Sequence, residues 1–191
     1  MVTTRGADMH AFKRGRSVRA METKRYPTPT ADQVADRLAI HDVIVRYCRG
    51  IDRLDEDLVR SAYWPDSNDD HGNYSGNGYE FAAYAIPRLR RSYDATHHVI
   101  TNSCVYLHGE AAGAETYVHA YHRKGDTVTL FVGRYVDRFE QRAGEWRIAD
   151  RVCVHDWSRV DPITESMPEG WSSLFVHGQR DTTDTSYHRL P

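Results

Sequence analysis

Apolar residues recur at helical spacing in the first half of the chain. The first run of such positions consists of Ile40, Ile44, Tyr47 and Ile51. This pattern predicts an amphipathic helix of about five turns that is capped by Thr30 and weakens at Gly50. A second, short helix is predicted after Asp55, which is a suitable N-cap residue.

A segment rich in turn residues interrupts the helical pattern at residues 65–78. Its content of Asn, Asp, Gly and Ser predicts a loop or a short irregular hairpin. A third helix is predicted from about Tyr79 to Arg91. Pro87 falls inside this helix and predicts a kink or an early end, because proline lacks the N–H that a helix interior needs.

After residue 95 the period of the apolar positions changes from helical to alternating, which is typical of strands with one buried face. Four such segments are Thr96 to Leu107, Ala114 to Arg123, Thr127 to Arg142 and Glu145 to Ser158. Short turns containing Gly separate them and predict an antiparallel meander. Helices first and strands later define the α+β class, in which three N-terminal helices close a curved antiparallel sheet into a cone. The interior of such a cone is one deep pocket for a small apolar or cyclic molecule.

The composition fits one globular domain. The chain has 191 residues, of which 40% are hydrophobic and 27% are charged, and its formal net charge is −2. We expect a disordered basic leader over residues 1–30, the domain over residues 31–160 and a C-terminal extension over residues 161–191. The small net charge argues against nucleic acid as a partner, and no apolar run reaches the roughly 18 residues of a membrane helix. Because residues 1–20 also lack the apolar block of a secretory signal, we expect a cytoplasmic protein without a membrane partner.

Several polar residues are candidates for lining the pocket. Strand alternation places His98 and Asn102 on one face, so both side chains are expected to point into the same cavity. Asp52 follows the long helix, Tyr47 lies near the end of that helix, and Arg151 belongs to the last strand. Four of these residues also have an ordinary structural interpretation. Asp52 can cap the next helix or pair with a surface arginine, and Tyr47 can be a core aromatic residue with its hydroxyl at the rim. His98 can be a satisfied structural histidine, and Arg151 can form a surface salt bridge.

The turn-rich segment contains the cluster Asp69-Asp70-His71. Together with His97 or His98, this cluster supplies residue types that bind iron or zinc. A turn is the simpler interpretation of the cluster. We therefore expect no metal site and no organic cofactor.

Five stretches of the chain carry a family resemblance. They are Tyr47 to Trp64, Pro65 to Gly72, Thr96 to Asn102, Gly133 to Asp137 and Gly144 to Ile148. In this order they resemble the SnoaL-like branch of the nuclear transport factor 2-like superfamily, over roughly residues 31–158. The resemblance implies a cone-shaped α+β barrel, in agreement with the hydrophobic pattern.

Within that superfamily, scytalone dehydratase, hexachlorocyclohexane dehydrochlorinase and bile acid 7α-dehydratase share an Asp–His pair in the pocket. By the order of motifs, Asp52 and His98 are similar to that pair. Arg151 resembles an arginine of the last two enzymes. Tyr47 resembles a tyrosine of the bile acid enzyme, whereas the dehydrochlorinase has a lysine there. The resemblance thus implies a cofactor-independent lyase, a dehydratase of a cyclic or polycyclic hydroxy-ketone of polyketide or steroid type, that uses His/Asp acid–base chemistry.

The candidates for contact with the substrate are Asn102, Trp64 and Tyr74. Two other functions stay open on the same fold. One is an enzyme of the ketosteroid isomerase or polyketide cyclase type, and the other is a non-catalytic protein that binds a small molecule. The distance between the Asp52 and His98 side chains distinguishes the enzymes from the binding protein, because a separation beyond hydrogen-bond reach favours binding without catalysis.

The outer face of the predicted sheet carries apolar residues, for example Val128, Leu130 and Val132. Apolar side chains that lie outside the pocket need a partner surface. Members of this fold usually associate through that face. The resemblance therefore implies a homo-oligomer, either a dimer or a trimer.

Overall fold

The computed structural model describes residues 28–164, 168 and 170–189. Its helices are α1 (Ala31–Arg53), α2 (Glu56–Ser61), α3 (Gly78–Ser92) and the short α4 (Ser186–Arg189). Its strands are β1 (Tyr63–Asp70), β2 (Ser75–Asn77), β3 (Ala95–His108), β4 (Ala111–Lys124), β5 (Thr127–Arg142) and β6 (Glu145–Pro162). The predicted α+β class, with helices packed on a curved sheet, is confirmed. Residues 1–27 of the predicted leader lie outside the described residues.

Helix α1 begins at the predicted cap. The Thr30 hydroxyl accepts the Gln33 backbone N–H at 3.3 Å, and the Gln33 side chain accepts the Thr30 N–H at 3.0 Å, which is a capping box. The helix does not weaken at Gly50, contrary to the prediction, but runs on to Arg53. Glycine is needed there for packing, because a Cβ on Gly50 would lie 2.7 Å from Cγ2 of Val59 in α2.

Helix α3 contains Pro87 and still continues to Ser92, so the predicted early end is wrong. Proline removes one backbone hydrogen bond from a helix interior. The side chains that bury this helix against the core are Phe81, Ala82, Ala85 and Ile86. Because tertiary packing of an apolar face supplies most of a helix's stability, this burial outweighs the lost bond.

The sheet has six strands in the order β2-β1-β6-β5-β4-β3. Strands β3 to β6 form the predicted antiparallel meander. The turn-rich segment forms the hairpin β1–β2, and β1 also pairs in parallel with β6, where Asp69 lies opposite Arg151. The parallel pairing is absent from the prediction because Pro, Asn and Asp are uncommon in strands.

Strand β3 has an irregularity that changes the face its side chains occupy. Ile100 lies opposite Val118 and Ser103 lies opposite Thr116, so three steps along β3 match two steps along β4. One extra residue moves every following side chain to the other face of the sheet. His98 is half-buried on the helix side, whereas Asn102 is exposed. The prediction that Asn102 shares a cavity with His98 is therefore wrong.

Helices α1, α2 and α3 contribute to one hydrophobic core with the sheet. The C-terminal residues 180–187 pack back on this body, where Arg180 donates to the Tyr93 carbonyl at 2.5 Å and Tyr187 to the Asp55 carboxylate at 2.8 Å. No helix in the described ranges is long and apolar enough to cross a membrane. A cavity of about 730 Å³ remains between the helices and the sheet.

Candidate active site

Asp52, in the last turn of α1, and His98, on β3, are in direct contact. Oδ1 of Asp52 lies 2.7 Å from Nδ1 of His98, and Oδ2 accepts the His98 backbone N–H at 2.9 Å. Only 15% of the Asp52 side chain and 7% of the His98 side chain are exposed. The structure thus brings together the two residues on which the predicted chemistry depends.

Hydrogen bonds keep Asp52 ionised. Burial raises its pKa, but hydrogen bonds from the ring and backbone of His98 and from the Thr96 hydroxyl outweigh burial and hold this pKa below its ordinary value. An ionised Asp52 accepts the proton on Nδ1, so the lone pair of a neutral His98 is on Nε2. His98 lines the cavity, and its Nε2 has no hydrogen-bond partner within the described ranges. This arrangement can accept a proton from a bound molecule.

Tyr47 and Asp52 are separated by about 140° around an ideal helix. Tyr47 lines the cavity directly, together with Ile51. Asp52 does not line it and acts on it through His98. The helix therefore stays regular while both residues serve one cavity.

Tyr47 contacts a second histidine of the cavity wall, His71. The Tyr47 hydroxyl lies 3.1 Å from Nε2 of His71, whose Nδ1 is hydrogen-bonded to Asp69. Asp69 also accepts the Tyr63 hydroxyl at 2.6 Å. Burial raises the pKa of Tyr47 well above its ordinary range, against an opposite effect of the Arg151 charge. The Tyr47 hydroxyl is therefore protonated at neutral pH and can donate to His71.

The cavity position of His71 is missing from the sequence prediction, which treats its cluster as a turn. A weak signal was present in the sequence, because Ser67, Asp69 and His71 recur at every second position, which is the period of a strand. The structure confirms an inward face, since Ser67 and Asp69 are 1% exposed. Turn-type residues around them hid this strand period. Asp70 points elsewhere and accepts the Gly72 N–H at 2.9 Å. Among the described residues, no three His, Cys, Asp or Glu side chains are grouped to hold a metal ion.

His122, on β4, is another cavity residue that the sequence prediction misses. Its ring lies 5.8 Å from the His98 ring, centroid to centroid. Burial, followed by the nearby His98, lowers the pKa of His122 to about 4. His122 is therefore neutral near pH 7. Strand alternation with Val118 and Ala120 could have identified its inward position.

Arg151 does not line this cavity, contrary to the prediction of direct contact with a substrate. Its side chain is 0% exposed and donates two hydrogen bonds of 2.7 Å to Asp137. The guanidinium lies 4.3 Å from the Tyr47 ring centroid and 4.1 Å from that of Tyr135. Burial lowers the pKa of Arg151, but the Asp137 charge outweighs burial and raises this pKa well above its ordinary range. Arg151 is thus a cation behind the aromatic wall of the cavity.

The predicted substrate contacts also lie outside the cavity lining. Trp64 points away from it, because its Nε1 donates to the Glu140 carbonyl at 3.0 Å. Tyr74 packs behind the lining residue Phe81 at 5.3 Å between ring centroids and donates to the Asn77 carbonyl. Asn102 is exposed beyond the irregularity in β3. Lining residues that the prediction omits include Phe81, Tyr84, Arg88, Arg91 and Phe131.

The sequence matches the SnoaL-like domain family over residues 32–152, and the chain belongs to this family. No curated protein matches the sequence. The predicted family and fold are therefore confirmed.

Solved structures with the same fold include two proteins named as enzymes and one protein of unknown function. A protein from Novosphingobium aromaticivorans, provisionally named scytalone dehydratase, is 18% identical with a TM-score of 0.61, over 72% of this chain and 95% of that chain. A LinA-type3 hexachlorocyclohexane dehydrochlorinase from Novosphingobium barchaimii is 20% identical with a TM-score of 0.63, over 72% of this chain and 97% of that chain. A Mycobacterium tuberculosis protein of unknown function is 21% identical with a TM-score of 0.62, over 68% of this chain and 76% of that chain. At these identities the likeness establishes the fold alone.

Proposed function

We propose that this protein is a cofactor-independent lyase, a dehydratase that removes water from a cyclic or polycyclic hydroxy-ketone. The observation that carries the proposal is the 2.7 Å contact between Asp52 and His98 at a cavity of about 730 Å³. This volume is in the range of pockets that enclose a small molecule. Membership of the SnoaL-like family and neighbours named as a dehydratase and a dehydrochlorinase support an elimination reaction.

The proposed reaction starts at Nε2 of His98. This nitrogen takes a proton from the carbon next to the carbonyl group, and the ionised Asp52 stabilises the resulting imidazolium. The electron pair of the C–H bond passes into the enolate and then forms the double bond as the hydroxyl group leaves. The Tyr47 hydroxyl is the cavity donor for a developing negative oxygen, a role that commonly contributes about 3 kcal/mol.

Arg151 supports this chemistry from behind the Tyr47 ring. Its positive charge opposes the rise that burial causes in the pKa of Tyr47. Tyr47 is therefore a better proton donor than an equally buried tyrosine without the cation. Arg151 acts in this proposal as a positioning residue and not as a direct contact of the substrate.

The test uses scytalone and 3-hydroxycyclohexanone as probes and follows the loss of water by chromatography. His98→Ala and Asp52→Asn are expected to lower kcat/KM by about 100-fold or more, because each removes part of the acid–base pair. His97→Ala is the matched control, since His97 is the exposed neighbour on the same strand. Wild-type turnover by either His98→Ala or Asp52→Asn, with the fold checked by circular dichroism, refutes the proposal.

The same variants separate the two alternatives. Isomerisation of a β,γ-unsaturated ketosteroid that depends on His98, without dehydration of either probe, identifies an isomerase-type enzyme. Binding of these ketones without any turnover identifies a small-molecule-binding protein.

We further propose a homo-oligomer, a dimer or trimer, that forms through the outer face of the sheet. The expectation that Leu130 and Val132 are exposed is wrong, since they are 6% and 9% exposed. Large side chains stand beside them, with Tyr121 opposite Leu130 and Trp157 opposite Val132. The exposed apolar residues of this face instead include Val99, Tyr117, Tyr121, Val136, Val152 and Trp157, each 36–49% exposed. Light scattering is expected to give a multiple of the 22.0 kDa chain mass, and a monomer contradicts the proposal.

A further inference from the structure

A second hydrogen-bonded histidine lines the cavity in addition to His98. We propose that Tyr47 and His71, held by Asp69 and Tyr63, form a second proton-transfer unit that protonates the leaving oxygen. We call these four residues the Tyr47 relay. The proposal rests on the dehydratase function and assigns the acid of the reaction, whereas His98 is the base.

The relay is a continuous chain of hydrogen bonds. It runs from the Tyr47 hydroxyl to Nε2 of His71 over 3.1 Å, and from Nδ1 of His71 to Asp69. The far oxygen of Asp69 accepts the Tyr63 hydroxyl at 2.6 Å. Asp69 is 1% exposed and Tyr63 is 0% exposed. A carboxylate buried to this degree needs a positive or hydrogen-bonded partner, and His71 is in position to supply the charge when it is protonated.

The position of His71 favours proton transfer over a purely structural role. A histidine that only fastened the β1–β2 hairpin to α1 would not need to reach the cavity. His71 lines the cavity with 15% of its side chain exposed, and Tyr47 lines it as well. Stacking on Phe81, at 4.3 Å between ring centroids, holds the imidazole plane. The two groups between which the proton moves, the Tyr47 hydroxyl and the His71 ring, are therefore both held in place.

The relay and the Asp52–His98 pair are both anchored on α1, through Tyr47 and Asp52 on successive turns of the helix. Tyr47 and Asp52 are five residues apart, which is about 7.5 Å along a helix axis. Removal of water breaks a C–H bond and a C–O bond on adjacent carbons. Two separate proton-transfer groups at the same cavity match these two bonds.

Several titratable or charged groups surround His71. They are Tyr63 and Asp69 on β1, Tyr47 on α1, Tyr135 and Asp137 on β5, and Arg151 on β6. Helix α3 packs on His71 through Phe81, and its cavity-lining titratable or charged residues are Tyr84, Arg88 and Arg91. Arg151 remains a cation and forms an ion pair with Asp137 through two hydrogen bonds of 2.7 Å. Asp69 is thus the carboxylate that faces the His71 ring directly.

The proposed step conserves protons and electrons. In the donating form His71 carries protons on both nitrogens. Its Nδ1–H donates a hydrogen bond to Asp69, and its Nε2–H donates one to the Tyr47 oxygen. The Tyr47 proton passes to the leaving oxygen, the C–O bond breaks with its electron pair on that oxygen, and water departs. Tyr47 regains a proton from Nε2 of His71, while Nε2 of His98 holds the proton from carbon. Transfer of one proton from His98 to His71 through solvent restores the starting state.

The first test measures kcat and KM for scytalone across pH in the wild type, His71→Gln and Tyr47→Phe. Glutamine at position 71 can accept the Tyr47 hydrogen bond but cannot pass on a proton. We expect a bell-shaped kcat profile for the wild type. In His71→Gln we expect a kcat about 100-fold lower, no alkaline limb, and a KM within about threefold of the wild type. Tyr47→Phe is expected to show the same loss.

The outcomes separate the relay from the dehydratase function. An inactive His98→Ala together with a His71→Gln that keeps the wild-type kcat and both limbs overturns the relay and leaves the dehydratase function standing. A fully active His98→Ala overturns both. His119→Gln on the outer face of β4 is the control for a general effect of losing a histidine, and we expect it to keep the wild-type profile.

The second test needs no turnover and decides the question even when scytalone is not converted. Nitrogen-15 NMR of the histidine rings in the ligand-free protein reports which nitrogen carries the proton. In neutral His71 we expect the proton on Nδ1, and in Tyr47→Phe we expect a shift of the Nε2 resonance from loss of its donor. A proton on Nε2 of neutral His71, or an Nε2 resonance unchanged in Tyr47→Phe, overturns the relay.

Discussion

Arg151 is buried together with Asp137, and removal of one partner is expected to cost a large part of the protein's stability. Arg151→Met replaces the guanidinium by an unbranched apolar side chain of similar length. Asp137 then loses both of its 2.7 Å hydrogen bonds while its side chain remains 0% exposed. Breaking a buried ion pair in this way costs about 3–5 kcal/mol of folding free energy.

The ring contacts of Arg151 place its expected cost at the upper end of this range. The guanidinium lies 4.3 Å and 4.1 Å from the ring centroids of Tyr47 and Tyr135. A desolvated cation–π contact is worth about 2 kcal/mol, and methionine replaces only part of it. The unfolding free energy of Arg151→Met is therefore expected to fall by about 5 kcal/mol.

The measurement is urea unfolding at neutral pH for the wild type, Arg151→Met, Asp137→Leu and the double variant. Apolar replacement of both partners leaves no unpaired charge, so the double variant is expected within about 2 kcal/mol of the wild type. The two single changes would then be strongly non-additive. A single Arg151→Met change that costs less than about 1 kcal/mol, or additive losses in the double variant, refutes this reasoning.

Two further predictions concern stability. Burial lowers the pKa of His122 to about 4, below the value of about 6.5 for an unfolded histidine. Because the unfolded chain takes up the proton first, His122 reduces stability as pH falls from about 6.5 to about 4, by up to about 3 kcal/mol. His122→Phe should lose correspondingly less stability over this range in unfolding experiments, and equal losses contradict the burial argument. Gly50→Ala is expected to lower the free energy of unfolding by about 1–3 kcal/mol, because its Cβ would lie 2.7 Å from Val59 Cγ2. A Cβ at Gly113 meets open space, so the free energy of unfolding of Gly113→Ala should stay within about 1 kcal/mol of the wild type. Equal unfolding free energies of these two glycine variants count against the close packing of α1 and α2.

The long elements were predictable because one hydrophobic period runs through each of them. The α1 helix and its cap at Thr30 follow from spacing and capping chemistry. The four strands of the meander follow from alternation and from the Gly turns between them. The contact of Asp52 with His98 followed from the family resemblance and not from the pattern, since nothing local joins residues 46 positions apart.

Residues that the prediction misplaced depend on features with a weak local signal or none. One extra residue in β3 turns Asn102 outward, and no Gly or Pro marks the irregularity. Trp64 and His71 depend on the parallel pairing of β1 with β6, which joins distant parts of the chain through turn-type residues. Arg151 was assigned to the cavity by the family resemblance, and its buried partner, Asp137, could not be recognised from sequence spacing.

The central claim is that His98, held by Asp52, removes a carbon-bound proton from a molecule in the cavity. Proton NMR of α-tetralone in D₂O isolates this step, because a ketone without a leaving group can exchange its α-hydrogens but cannot lose water. The wild type and His97→Ala are expected to accelerate the exchange at neutral pH, and His98→Ala is expected to be slower by about 100-fold or more. Exchange at the same rate in the wild type and in His98→Ala would contradict the claim.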